Sequence, residues 1–128
     1  MLPSKQYYKV LVPRILTKNS NGLTGGFTHF DYTKYLPVGS QPGKWLPQRR
    51  ALELCVSGWH VTPRPVRWNT SYGRTRRVFL IEMKGPTRRD TFHINSPKTT
   101  CQQIRLVKEI KRGSAAWKRI MTQKYQNG

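Results

Sequence analysis

The chain is 128 residues long and carries 24 Lys and Arg against five Asp and Glu, a formal net charge of +19, and that length suits one domain with a single modest core. So large a surplus of like charge opposes compaction until a polyanion or counterions neutralise it, and nucleic acid is the obvious neutraliser. Two cysteines are too few for a disulfide scaffold and point to free thiols in a cytoplasmic protein, while the lack of a transmembrane stretch, amphipathic anchor or lipidation signal argues against a membrane partner.

Met1 to Gln6 lacks the apolar core of a secretory leader and is expected to be flexible. Tyr7 to Leu16, YYKVLVPRIL, is rich in β-branched and aromatic residues and predicts a first strand, with Pro13 marking an edge position or a bulge. Residues 17–44 then read as a long loop: TKNSNGLTGG over Thr17 to Gly26 is turn chemistry, and Pro37, Gly39, Pro42 and Gly43 punctuate the rest. The aromatics there, Phe27, Phe30, Tyr32, Tyr35 and Trp45, are expected to cover the core, with base stacking as the alternative.

Leu52 to Pro63, LELCVSGWHVTP, predicts a strand, a tight turn and a second strand. Leu52, Leu54 and Val56 alternate with Glu53 and Cys55; Ser57-Gly58 breaks the run, Gly58 tolerating the positive φ that such turns need; Pro63 ends the second strand. Arg64 to Arg77, RPVRWNTSYGRTRR, interleaves Arg64, Arg67, Arg74, Arg76 and Arg77 with Trp68 and Tyr72, and no acid interrupts it. Guanidinium forks bind phosphate and stack on bases, so this segment is the leading candidate for nucleic-acid contact.

Val78 to Met83, VFLIEM, is a near-continuous apolar run and predicts the central, most buried strand, ended by Lys84-Gly85-Pro86. Glu82, the lone acid inside it, requires an Arg or Lys partner or a role in a pocket. Thr87 to Cys101 reads as a polar connection containing Arg88-Arg89, and Ile104 to Ile110 as a last strand or a short helix. Ser114 is a candidate N-cap for a C-terminal helix over residues 113–126, with Trp117, Ile120, Met121 and Tyr125 on one face and Lys118, Arg119 and Lys124 largely outside it. The fold class implied is α+β: a small, mainly antiparallel sheet with long loops and a C-terminal amphipathic helix.

Cys55, Gly58, Trp59 and His60, in the order C-x-x-G-aromatic-His, resemble the signature of a small, uncharacterised domain family of bacteria and their phages. Tyr8-Lys9-Val10-Leu11, Pro42-Gly43-Lys44-Trp45, Val78 to Glu82 and Ile104-Arg105-Leu106-Val107-Lys108 extend the resemblance over roughly residues 7–110. It implies a compact domain of phage or bacterial origin and carries no established activity. Gly58-Trp59-His60-Val61-Thr62 is also similar to the strand that lines the nicotinamide pocket of the ADP-ribosyltransferase fold, with His60 in place of the tyrosine and Lys9 where that superfamily has Arg or His.

The basic surface expected to bind nucleic acid, DNA or RNA, comprises Arg64, Arg67, Trp68, Arg74, Arg76, Arg77, Arg88, Arg89, Lys108, Lys111, Arg112, Lys118 and Arg119. Cys55, Trp59, His60, Thr62 and Glu82 form a candidate pocket, in which His60 either stacks and shuttles a proton or is an ordinary hydrogen-bonded histidine. Cys55, His60, His93 and Cys101 match none of the usual zinc-ligand spacings, so no metal is expected. No paired carboxylates, phosphate-binding glycine loop or nucleophile elbow is visible, so no cofactor and no catalytic residue is assigned. Three functions follow: sequence-tolerant binding to phosphate backbone; an ADP-ribosyltransferase-like enzyme or inhibitor acting on nucleic acid or a host protein; or a structural part of a virion or other host or viral nucleoprotein complex.

Overall fold

A computed structural model describes residues 6–17, 20–25, 30–49, 58–63, 65, 76–89 and 99–121. Five strands and one helix follow in order: β1 Tyr7–Thr17, β2 Ser20–Thr24, β3 Trp59–Val61, β4 Arg77–Arg89, β5 Thr99–Ile110 and α1 Ala115–Met121, with a 3-10 turn at Thr33–Tyr35. The sheet order is β2-β1-β4-β5-β3 and every pairing is antiparallel. This is the α+β class expected. The apolar run Val78 to Met83 lies in β4, the middle strand of the five.

The far edge of β1 is shared. Its C-terminal half pairs with β2, from Val12 opposite Thr24 to Thr17 opposite Ser20. Nearer its start, Tyr8 N donates to Thr62 O at 2.7 Å and Thr62 N donates to Tyr8 O at 2.9 Å, which joins the end of β3 back to β1 and curls the sheet into a nearly closed ring. Because the Tyr8 N–H points to that edge, Pro13 aims its nitrogen at the opposite side, where the β4 ladder has already ended at Leu11. A proline without an N–H therefore costs no ladder bond there.

Alternation along β1 and β4 gives two cores. Leu11, Phe79 and Ile81 face one side with Leu46, Trp59, Cys101, Ile104 and Leu106; Tyr8, Val10 and Val78 face the other with Ile110, Trp117 and Ile120 of α1. The first side is covered by the segment 30–49, which follows the free edge of β5: Gly43 N, Leu46 N and Arg49 N donate to the carbonyls of Leu106, Ile104 and Gln102, each at 2.8 Å. Three residues of this strap advance for every two of the strand, so it runs beside β5 as a coil. Gly43 is required because a Cβ there would overlap the Tyr35 carbonyl oxygen. The expected role as core cover is observed for Phe30, Tyr32 and Tyr35, Phe30 packing edge-on to Tyr32 at 5.0 Å and to Trp59 at 4.8 Å; Trp45 belongs to neither core, and Phe27 lies outside the described residues.

Three expectations are corrected. Ser20–Thr24, within the stretch read as turns, forms β2, because pairing to β1 supplies what local propensity withholds. Lys84-Gly85-Pro86 does not end β4: a register shift between Lys84 and Thr87 absorbs one extra residue and the strand continues to Arg89, a bulge being where Gly and Pro are tolerated in a ladder. Thr99 to Cys101, read as connection, opens β5. Gly58 has φ 93°, as its turn requires; the first strand expected there, Leu52 to Val56, lies outside the described residues. Ser114 caps α1, its Oγ accepting from Trp117 N at 3.1 Å. Residues 122–126 of the expected helix lie outside the described residues, among which no helix is long and apolar enough to cross a membrane.

Candidate nucleic-acid interface

The face of β4 and β5 that carries α1 also carries cations. Val78 and Leu80 pack under the helix, so Glu82 and Lys84, at the next alternate positions of β4, lie on the same face. Their cross-strand neighbours share it: Lys108 stands opposite Leu80 and Arg105 opposite Glu82. The strand segment from Val78 to Lys84 measures about 20 Å. At one end of this stripe Arg76 and Arg112 lie over the ring of Trp117, their Cζ atoms 5.6 and 5.2 Å from its centroid. At the other, Lys84 Nζ and Arg105 Cζ lie 5.2 and 4.8 Å from the centroid of Trp45.

Both tryptophans serve as platforms that orient cations. Trp117 is buried and its ring belongs to the helix-side core. Trp45 is half-buried in the strap. Each ring thus supports a pair of cationic heads, Arg76 and Arg112 over Trp117 and Lys84 and Arg105 over Trp45.

Of the described carboxylates, Asp31 and Glu109 are committed away from this face and Glu82 lies on it, bound to Arg105. Asp31 accepts from the backbone of Leu23 and Thr33, both at 3.0 Å, and from the Thr33 hydroxyl, tying the strap to β2. Glu109 takes the guanidinium of Arg77 in a fork, 2.9 Å to Nε and 2.7 Å to Nη2, and this bond holds the Arg77 pKa up against the opposing effect of burial. Glu82 takes Arg105, with Nη2 at 2.8 Å, the ion pair expected of it. Arg76 shows the opposite trend to its neighbour Arg77: burial first, then the like charge of Arg112, lower its pKa.

The structure gathers Arg76, Lys108, Lys111 and Arg112 around the start of α1, with exposed Lys118 and Arg119 on the helix itself. It does not bring Arg88 and Arg89 to that cluster: they stand opposite Thr100 and Thr99 at the far end of the ladder, roughly 35 Å along β4 from Arg76. On an exposed strand end, arginines, a proline and a bulge also discourage pairing with another sheet. Arg77 is occupied by Glu109. Arg64, Arg67, Trp68 and Arg74 lie outside the described residues.

The pocket residues are dispersed. Trp59 is buried, its Nε1 donating to Pro47 O at 2.8 Å, and Arg49 stacks over its ring at 4.3 Å. His60 is half-buried; its carbonyl accepts from the buried Lys9 Nζ at 2.6 Å. Thr62 is buried in the bridge to Tyr8. His60 pairs with Thr100 whereas Glu82 pairs with Arg105, five positions apart on β5, or about 16 Å, so the imidazole and this carboxylate do not meet. Cys55 lies outside the described residues. Cys101 is a buried thiol donating to Trp59 O at 3.3 Å, and burial pushes its pKa up to about 12 against the opposing charge of Lys9, which leaves it an inert core residue.

Lys84 and Arg105 are members of the stripe that the sequence did not single out for binding, and Trp45, expected to cover the core, instead supports them. The alternation of β4 was signal enough for Lys84; Arg105 required the register of the β4–β5 ladder, which a bulge between Leu80 and Ile81 displaces by one residue. No family model, curated relative or solved structure matches the chain, which leaves geometry and charge as the grounds for function.

Proposed function

We propose that this protein binds nucleic acid through the phosphodiester backbone, with affinity that tolerates sequence. The observation that carries this reading is the cationic stripe on the helix-side face of β4 and β5, where Arg76, Arg112, Lys84 and Arg105 are held over two tryptophan rings. Cations on rigid aromatic platforms lose little side-chain entropy on meeting a phosphate. Trp117 is buried and Trp45 lies beneath Lys84 and Arg105, so at these two rings recognition falls to charge and shape. A net charge of +19 favours fast, electrostatically steered association with any polyanionic strand, alone or within a host or viral nucleoprotein complex.

The test is binding to random duplex DNA, single-stranded DNA and structured RNA over a salt series. Tight binding to at least one of them, indifferent to base order and weakening by around three orders of magnitude between about 50 and 200 mM salt if some six phosphates are neutralised, is the expected result. Affinity that does not change with salt would overturn the reading.

A further inference from the structure

We infer that Lys84 and Arg105, held over Trp45, form a site for one backbone phosphate, and that Glu82 occupies the Arg105 side of it until that phosphate displaces it. This deepens the nucleic-acid reading and rests on it for the identity of the ligand. β4 supplies Glu82 and Lys84, alternate residues on its helix-side face. β5 supplies Arg105, directly opposite Glu82 and so diagonal to Lys84, a spacing that long side chains bridge. The strap supplies Trp45, whose ring centroid lies 5.2 Å from Lys84 Nζ and 4.8 Å from Arg105 Cζ. One half-buried indole thus sets where both cationic heads lie.

Among the described residues, two Arg–Glu pairs cross the β4–β5 ladder, and they are built differently. Glu109 commits both oxygens to Arg77, one to Nε and one to Nη2. Glu82 meets Nε and Nη2 of Arg105 with the same oxygen, Oε1, at 3.0 and 2.8 Å, and its side chain is 49% exposed against 32% for Glu109. A solvated contact through one oxygen holds weakly, so a phosphate oxygen can take its place on the same guanidinium edge. Lys84 meets no carboxylate among the described residues and offers the incoming phosphate a second charge. The displaced Glu82 then stands beside a bound anion and repels it. Glu82 therefore acts as an internal competitor that weakens the hold of the stripe on any phosphate strand.

The experiment measures binding of a random-sequence DNA duplex over a salt series for the wild type, Glu82→Gln, Arg105→Gln, the double variant of these two and, as a charge-matched control, Glu109→Gln. Glu82→Gln keeps the shape of the side chain and removes its charge. It is expected to bind about fivefold tighter at about 100 mM salt, the effect of one unit charge about 4 Å away in water, with a salt slope steeper by about 1. Glu109 lies on the other face and about 13 Å further along β5, beyond the screening length of about 10 Å at that salt, so Glu109→Gln is expected to gain less than about twofold. With Arg105 already replaced, removing the Glu82 charge is expected to gain nothing. Equal gains from Glu82→Gln and Glu109→Gln would assign the effect to net charge, and a gain that survives without Arg105 would assign it to simple repulsion; either overturns the exchange. Weaker binding by Glu82→Gln would make Glu82 a positioning residue for Arg105 and overturn it too. Should a variant fold poorly, NMR of the wild type decides: a saturating shift of the Arg105 Nε–H on titration with the duplex supports the site, and no shift overturns it. Steep, salt-dependent binding that is the same in the wild type and Glu82→Gln would sink the exchange and keep the nucleic-acid reading, whereas no salt-dependent binding by any of the five proteins would sink both.

Discussion

Arg76 and Arg77 are consecutive, yet strand geometry sends them to opposite faces and into opposite surroundings. Arg77 lies over Phe79, 5.3 Å from its ring centroid, and ends in a fork on Glu109. Arg76 lies over Trp117 and faces another arginine. The strap side thus pairs Arg77 with Glu109 and serves the fold, whereas the helix side pairs Arg105 with Glu82 and gathers Arg76 and Arg112 over Trp117. In a chain this basic, the informative arginines are those placed beside like charge, and their number matters less than their neighbours.

The largest expected effect lies on the strap side. Phe79 is fully buried beneath Arg77, and Phe79→Ala is expected to cost about 3–5 kcal/mol in urea unfolding; a loss under 1 kcal/mol would mean the strap-side core does not hold the sheet. Gly43→Ala forces a methyl group into the Tyr35 carbonyl and should cost about 1–3 kcal/mol, with faster hydrogen exchange at Leu46 N and Arg49 N as the strap lifts from β5. Arg77→Gln and Arg76→Gln sharpen the contrast directly. The former should cost about 1 kcal/mol, the range of a partly exposed forked ion pair, and leave nucleic-acid affinity nearly intact; the latter should cost less stability and more affinity. Equal effects from the two would erase the distinction between the faces. The smallest effect concerns Cys101, whose protonated thiol is expected to resist alkylation at pH 8 in the native state and to react only on unfolding, as peptide mapping would show.

Much of the fold was legible because its signals are local. The run Val78 to Met83 announced the central strand, Ser114 announced a helix start, and Trp117 with Ile120 marked the face that docks. β2 and the continuation of β4 beyond Gly85-Pro86 were hidden because both depend on partners distant in sequence: Leu23 is held opposite Pro13, and Thr87 opposite Cys101 across a bulge. The site divides the same way. Arg76, Arg112, Lys108, Lys118 and Arg119 were readable from charge density, whereas the pairing of Arg105 with Glu82, and the place of Lys84 and Arg105 over Trp45, required the register and the path of the strap.

The central claim is that the arginines around Trp117 meet phosphate. Its most direct measurement is the slope of log affinity against log salt on random duplex DNA, for the wild type and for Arg76→Gln with Arg112→Gln. A wild-type slope of about −5 or steeper, falling in magnitude by about 2 in the double variant, is predicted. A double variant whose slope matches the wild type would show that phosphates bind elsewhere and contradict the account.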